Sequence, residues 1–212
     1  MEPDFYRRLP PEVVLHTARM YLQETTASGE SAMIDDHLPR AVEDLATVRP
    51  HAIVFGCTSA GALRGNTYEA ELVGNIASRT GAKTYSVSAS VRWALREAGV
   101  RKLGVITPYV EELNSRIRNS LEDDGFTVEF IRGLDIRENF AIAGVSPEEI
   151  CDFAVRETRQ ADVDCLFVSC TNFRAFEARE MIFGELGIPV VTSNQATLER
   201  VLSDLRAARI LP

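Results

Sequence analysis

Short runs of β-branched residues alternate along this chain with amphipathic segments of helical length. That alternation restricts the fold to one class, α/β, built from βαβ units whose parallel sheet is covered by helices on both faces. The runs predict strands over 13–22, 52–56, 83–87, 102–106, 127–132, 165–169 and 189–192, with helices over 36–48, 68–80, 90–98, 111–123, 147–159, 175–186 and 195–208. Local chemistry agrees. Ser146-Pro147-Glu148-Glu149 offers an N-cap, a proline at the first helical position and a capping-box glutamate. Gly81, Gly99, Gly125 and Gly187 each fall just past a predicted helix, where a left-handed cap is wanted.

A repeat divides the chain. His51-Ala-Ile-Val-Phe-Gly-Cys57-Thr58-Ser59 and Asp164-Cys-Leu-Phe-Val-Ser-Cys170-Thr171-Asn172 share an apolar strand, a small residue, then Cys-Thr-Ser/Asn. The two cysteines, 57 and 170, stand 113 positions apart in 212 residues, which predicts two similar lobes in tandem. The first lobe covers 1–90, with the C-terminal helix packing back on it, and the second covers 91–212. The second lobe opens with a strand over 102–106, Thr107-Pro108-Tyr109 and a helix, whereas the first opens directly on a helix-like segment from Glu2 to Leu9. A first strand at the centre of the first sheet is therefore expected to be missing, and the native chain is expected to start upstream of Met1.

Charge and cysteine usage narrow the function. With 23 Lys+Arg against 31 Asp+Glu the net charge is −8, and basic residues gather only in isolated pairs, which argues against a nucleic-acid partner. Nowhere do 18 apolar residues run together and the N-terminus lacks a signal pattern, so a cytoplasmic protein without a membrane partner is expected. Four cysteines without a C-x-x-C, and only three histidines, do not spell a zinc site, and a reducing compartment disfavours disulfides. No metal or cofactor motif is present.

In parallel α/β sheets a ligand sits outside the carboxyl ends of the strands. Cys57 and Cys170 both fall there. The backbone N–H groups of Thr58-Ser59 and Thr171-Asn172 would stabilise a thiolate or hold a carboxylate. Two thiols facing one molecule from opposite lobes can act as acid and base at a carbon beside a carboxylate. Each cysteine alone reads more simply as a small buried residue; twin placement is what favours chemistry. Cys151 and Cys165 read as core. His51 lies roughly 20 Å from Cys57 along one strand and cannot serve it; His37 reads as a solvated or capping residue and His16 as a core side chain. Tyr109 is either a donor to a carboxylate or enediolate, or a packed turn tyrosine. Asn139 lies in a long connection, either in a binding loop or as a turn former. Thr25-Thr26 and Thr192-Ser193-Asn194 also follow predicted strands, and Asn194 reads equally as an N-cap.

Gly56-Cys57-Thr58-Ser59, Thr107-Pro108-Tyr109, Arg137-Glu138-Asn139 and Ser169-Cys170-Thr171-Asn172 together resemble the aspartate/glutamate racemase superfamily over essentially the whole chain. Within it, the chain is most similar to the maleate cis-trans isomerase and arylmalonate decarboxylase branch. The resemblance implies two pseudo-symmetric Rossmann-like lobes with the active site in the cleft between them, no cofactor, a small carboxylate substrate and a homodimer. It assigns thiolate addition to the maleate double bond to Cys57 and proton handling to Cys170. Carboxylate binding falls to Tyr109 and Asn139, beside Thr58, Ser59, Thr171 and Asn172. The family also opens with a strand and a turn whose asparagine binds substrate, and this chain begins after that turn. Racemisation of an aspartate- or glutamate-type amino acid by the two cysteines is the first alternative. Arylmalonate-type decarboxylation, which uses only the second-lobe cysteine, is another, and an inactive ligand-binding protein of the same fold is a third.

Overall fold

Residues 1–211 are described by a computed structural model, and among them six parallel strands form two sheets. β1 (Ala52–Phe55) pairs with β2 (Lys83–Ser86) in one sheet. β3 (Lys102–Thr107), β4 (Thr127–Gly133), β5 (Cys165–Val168) and β6 (Val190–Thr192) make the second, in the order β4-β3-β5-β6. Parallel neighbours need a crossover, and helices supply it. α1 (Glu2–Arg8), α2 (Ala27–Ala32), a π-helical turn (Met33–His37) and α3 (Leu38–Ala46) precede β1. α4 (Thr58–Ala62) and α5 (Asn66–Thr80) lead to β2, and α6 (Val87–Glu97) leads to β3. Beyond it come α7 (Glu111–Asp123), α8 (Asn139–Gly144), α9 (Pro147–Thr158), α10 (Ala175–Leu186) and, after β6, α11 (Ser193–Ala207). All four residues of β5 are buried, as a strand covered on both faces requires.

The local signals act as the sequence implies. Ser146 caps α9 in a closed capping box with Glu149, and Gly81, Gly99, Gly125 and Gly187 all take positive φ. A second capping box, Thr192 with Gln195, starts α11. Thr192 is thus the N-cap, and Asn194 lies inside the first turn, where its amide donates to Asp4 Oδ2 at 2.8 Å. On β2, Tyr85 packs with Val201 and Leu205 of α11 and its hydroxyl donates to Asp204 at 3.0 Å.

Three expectations need correction. The segment 13–22 is not a strand. Its half-buried residues alternate as a strand's would, through Val13 and Leu15, then Ala18, Met20 and Leu22, but no ladder partner reaches them. A cavity of about 780 Å³ lies between this segment and β1, with α3 forming part of one wall and α1 and α11 part of another. Backbone pairing begins only at Glu24, opposite Glu138, and at Thr25, whose N–H donates to Arg137 O. The helix placed at 36–48 begins nine residues earlier, at α2, because the Thr26 hydroxyl accepts from Gly29 N and caps it; the π-helical turn then shifts the phase that periodicity reads. His16 is exposed, not core, because its segment has no sheet to join.

Candidate active site

β1 and β5 each deliver a cysteine at their carboxyl ends, and both sulfurs border the same cavity, with Ser59, Tyr109, Asn139, Thr171 and Asn172 also in its wall. At about 780 Å³ the cavity falls within the roughly 300–1,000 Å³ of small-molecule sites. The sulfurs of Cys57 and Cys170 and the phenol of Tyr109 are close enough for the charge on any one to raise another's pKa. Tyr109 reaches this position from the end of β3 because Gly133 lets the chain through: a Cβ there would lie 2.1 Å from the Tyr109 carbonyl oxygen.

The two thiols differ in setting. Cys57 is the extended N-cap residue of α4, with the Ala60 N–H facing its sulfur. Cys170 has φ +100, and its sulfur accepts from Asn172 N at 3.3 Å and from Phe173 N. Amides therefore do point at both sulfurs, but they belong to residues two or three positions on, and in the second half the helix starts only at Ala175. The expectation of a stabilised thiolate is reversed at rest. Burial outweighs the amides and pushes both thiols up, further helped at Cys57 by the neighbouring Glu30 carboxyl. Tyr109 is raised as well, first by burial and then by the two sulfurs, so its phenol stays a donor.

Hydrogen bonds lock the two cysteine loops together. Thr58 is turned away from the cavity, and its hydroxyl donates to Ser193 Oγ at 2.9 Å. The same Ser193 oxygen accepts the Cys170 N–H at 3.1 Å. Thr171 Oγ1 donates across to Gly56 O at 3.1 Å. Asn172 donates to the carbonyl and side-chain oxygens of Asn139, and Asn139 Nδ2 donates to Leu22 O at 3.1 Å. Of the eight residues to which the resemblance gives site roles, the structure brings seven to one cavity and leaves Thr58 behind it as a tie; Thr25 borders the same cavity. Cys151 and Cys165 are core, His37 packs half-buried against Tyr21, and His51 is exposed at the amino end of β1.

One polar residue escaped sequence reasoning. Glu30, on α2, is fully buried, and its Oε1 accepts a short hydrogen bond from Ser59 Oγ, whose oxygen lies 3.9 Å from Cys57 Sγ. Burial first, and then the Glu112 carboxylate, raise the Glu30 carboxyl to about 8, against the opposing hydrogen bond from Ser59. In sequence Glu30 is one acidic residue in a polar stretch and carries no spacing signal. No helix among the described residues is long and apolar enough to cross a membrane.

Known proteins resemble this chain in sequence and fold. The sequence model of a family described as arylmalonate decarboxylase matches residues 3–209. The chain is 28% identical over 193 residues to an arylmalonate decarboxylase from Bordetella bronchiseptica, covering 89% of this chain and 79% of that protein. It is 26% identical over 200 residues to a maleate isomerase from Nocardia farcinica, covering 92% and 79%. A solved structure of a Nocardia farcinica maleate cis-trans isomerase mutant, with a covalently bound succinylcysteine intermediate, superposes with a TM-score of 0.84 at 23% identity over 96% of this chain and 85% of that one.

Proposed function

The chain belongs to the arylmalonate decarboxylase family, and from that premise we propose that it is a cofactor-independent isomerase turning a small cis-dicarboxylate of the maleate type into its trans isomer by addition of the Cys57 thiolate. The observation that carries the reading is the meeting of two cysteines and a protonated tyrosine, from the carboxyl ends of three strands, at one cavity. The Nocardia relative supports it, since a succinylcysteine is what a thiol leaves on such a diacid after addition.

The steps balance without an oxidant or reductant. The Cys57 sulfur forms a bond to one alkene carbon, and the π electrons move to the other carbon and its carboxylate as an enediolate. Tyr109 donates to the charged oxygen, and the amides of Ala60, Asn172 and Phe173 line the turns around it. The former double bond rotates, the electrons return, and the C–S bond breaks to give the trans product. Cys170 stands on the other side as the acid that protonates the carbanionic carbon and recovers that proton. Asn139 has one amide hydrogen engaged by Leu22 O and one left for a carboxylate. The reading carries with it a cytoplasmic homodimer.

Incubating the protein with maleate alone and following fumarate by NMR tests this. Turnover is expected, and Cys57→Ala is expected to abolish it; unchanged turnover in that variant would refute the role of Cys57. The family's namesake and the Bordetella relative favour one second reading, decarboxylation of an arylmalonate with Cys170 as proton donor. Release of carbon dioxide from phenylmalonate that survives Cys57→Ala and disappears in Cys170→Ala would establish it instead.

A further inference from the structure

The reaction above needs the Cys57 thiol to lose a proton inside the protein, and no histidine is among the groups acting on its sulfur: His16 and His51 border the cavity only from the unpaired segment 13–22 and from the amino end of β1, and His37 packs against Tyr21. We propose that Glu30 is the proton acceptor for Cys57, acting through the hydroxyl of Ser59 as a two-step relay. The inference rests on the thiolate-addition reading and supplies the base which that reading lacks.

The geometry has the right direction. The Ser59 hydroxyl donates to Glu30 Oε1, which leaves its oxygen lone pairs facing Cys57 Sγ at 3.9 Å, a long contact of the kind that tightens when substrate is bound. The thiol proton passes to Ser59 Oγ as the Ser59 proton passes to Glu30 Oε1, leaving a thiolate, an intact serine and a neutral carboxylic acid. On elimination the proton returns by the same path, so nothing is consumed. Glu30 does not line the cavity, and its hydrogen-bonded path to the sulfur runs through Ser59, so a proton moves between them by that hydroxyl.

A carboxylate buried at such a depth would ordinarily be paired with a cation. Glu30 has none: its Oε2 is buried without a hydrogen-bond partner among the described residues. The groups facing it are Ser59 and Cys57 from the turn between β1 and α4, and Glu112 from the first turn of α7, which is acidic. An acidic, water-poor setting is a poor place for a structural ion pair. It is a good place for a base, because a carboxyl raised to about 8 is far closer in proton affinity to a raised thiol than an ordinary carboxylate. Ionisation of Glu30 is also what turns the relay on, so activity should climb with pH until the carboxyl is fully charged.

Glu30→Gln tests the relay, since the amide oxygen still accepts from Ser59 but cannot take a proton. Two readouts are followed from pH 6 to 9.5: kcat/KM on maleate, and the rate at which iodoacetamide alkylates Cys57 in a Cys151→Ala, Cys165→Ala background, mapped by peptide mass. In the wild type both are expected to rise with an inflection near 8. In Glu30→Gln the inflection should vanish and kcat/KM at pH 8 should drop by about 10²- to 10⁴-fold, with partial rescue in Glu30→Asp. Should Glu30→Gln fail to fold, Ser59→Ala decides, because it cuts the relay and leaves the carboxyl in place. A wild-type pH profile in either folded variant overturns the proposal. Absence of maleate turnover in the wild type would instead sink the functional reading, and the alkylation profile would still report on the relay.

Discussion

Cys170 occupies φ +100, a backbone region that costs a residue with a Cβ on the order of 1–3 kcal/mol. The position is held by the Ser193 hydroxyl on its N–H and by two amides on its sulfur, so the strain is maintained from outside the loop. Glycine adopts this conformation freely, whereas alanine keeps the strain and loses the sulfur's hydrogen bonds. Cys170→Gly is therefore expected to exceed Cys170→Ala in stability by about 1 kcal/mol in urea unfolding, although neither should handle protons; equal midpoints would show that the backbone is relaxed. Glu30 yields a second prediction, about pH. Its folded pKa, about 8, lies above the ordinary value, so the folded state holds this proton more tightly than the unfolded chain. Its contribution is fully present below about 4.5, and stability falls as pH rises from there through about 8. Urea midpoints across this window should decline in the wild type and lose that component of the decline in Glu30→Gln. The two residues also mark what sequence could and could not reveal. Cys170 was legible because it repeats Cys57 after a similar apolar strand and a small residue. Glu30 was not, because burial of a lone carboxylate is decided by what α4 brings over it, and α4 is a five-residue helix too short to leave a periodic pattern.

Strand and helix identities followed from composition wherever an element lies within a complete layer. β3 to β6 and α7, α9 and α10 fall within a residue or two of where their apolar runs and caps place them. The failures cluster at 13–46, where an extended segment has no partner strand and a π-helical turn interrupts the helical phase. Nor did the charge pattern disclose the device that joins the two halves. Arg92 of α6 is buried, and its guanidinium reaches Glu69 of α5 at 2.6 Å, Asp124 after α7 at 2.5 Å and Ser120 of α7 at 3.1 Å. Glu69, 2% exposed, has no other cation beside it among the described residues. Removing the arginine strands a buried charge, which typically costs about 3–5 kcal/mol, while removing both partners together is far milder. Arg92→Leu should thus be strongly destabilised in urea unfolding, and Arg92→Leu/Glu69→Gln should recover a large part of the loss, giving a coupling energy between the two sites well above about 0.5 kcal/mol. Additive effects would mean the pair is incidental.

At the scale of the molecule, the two sheets are unequal in how they are supported. β3 is flanked by β4 and β5, and its Leu103, Val105 and Ile106 have no exposed surface. β1 has a strand neighbour on one side only, and its other edge looks across the large cavity toward the unpaired segment 13–22. The carboxyl ends of the two sheets are nonetheless tied through Thr58–Ser193–Cys170 and Thr171–Gly56, so the cysteine turns are firmer than the strand that leads to the first of them. Stability of this kind is read by amide exchange, because an amide opens either by local loss of its ladder or by global unfolding, and strands lacking a partner open locally. Peptides covering 52–55 should therefore exchange well before those covering 103–106, and the difference should shrink when a dicarboxylate is bound. A ligand held between the cysteine turns favours the closed state by its own binding energy, so it slows only openings that separate Cys57 from Cys170. Equal protection of the two strands without ligand would show that the cavity is not a weakness in the first sheet. Faster exchange at 52–55 that a bound dicarboxylate leaves untouched would show that the open edge and the site are mechanically separate.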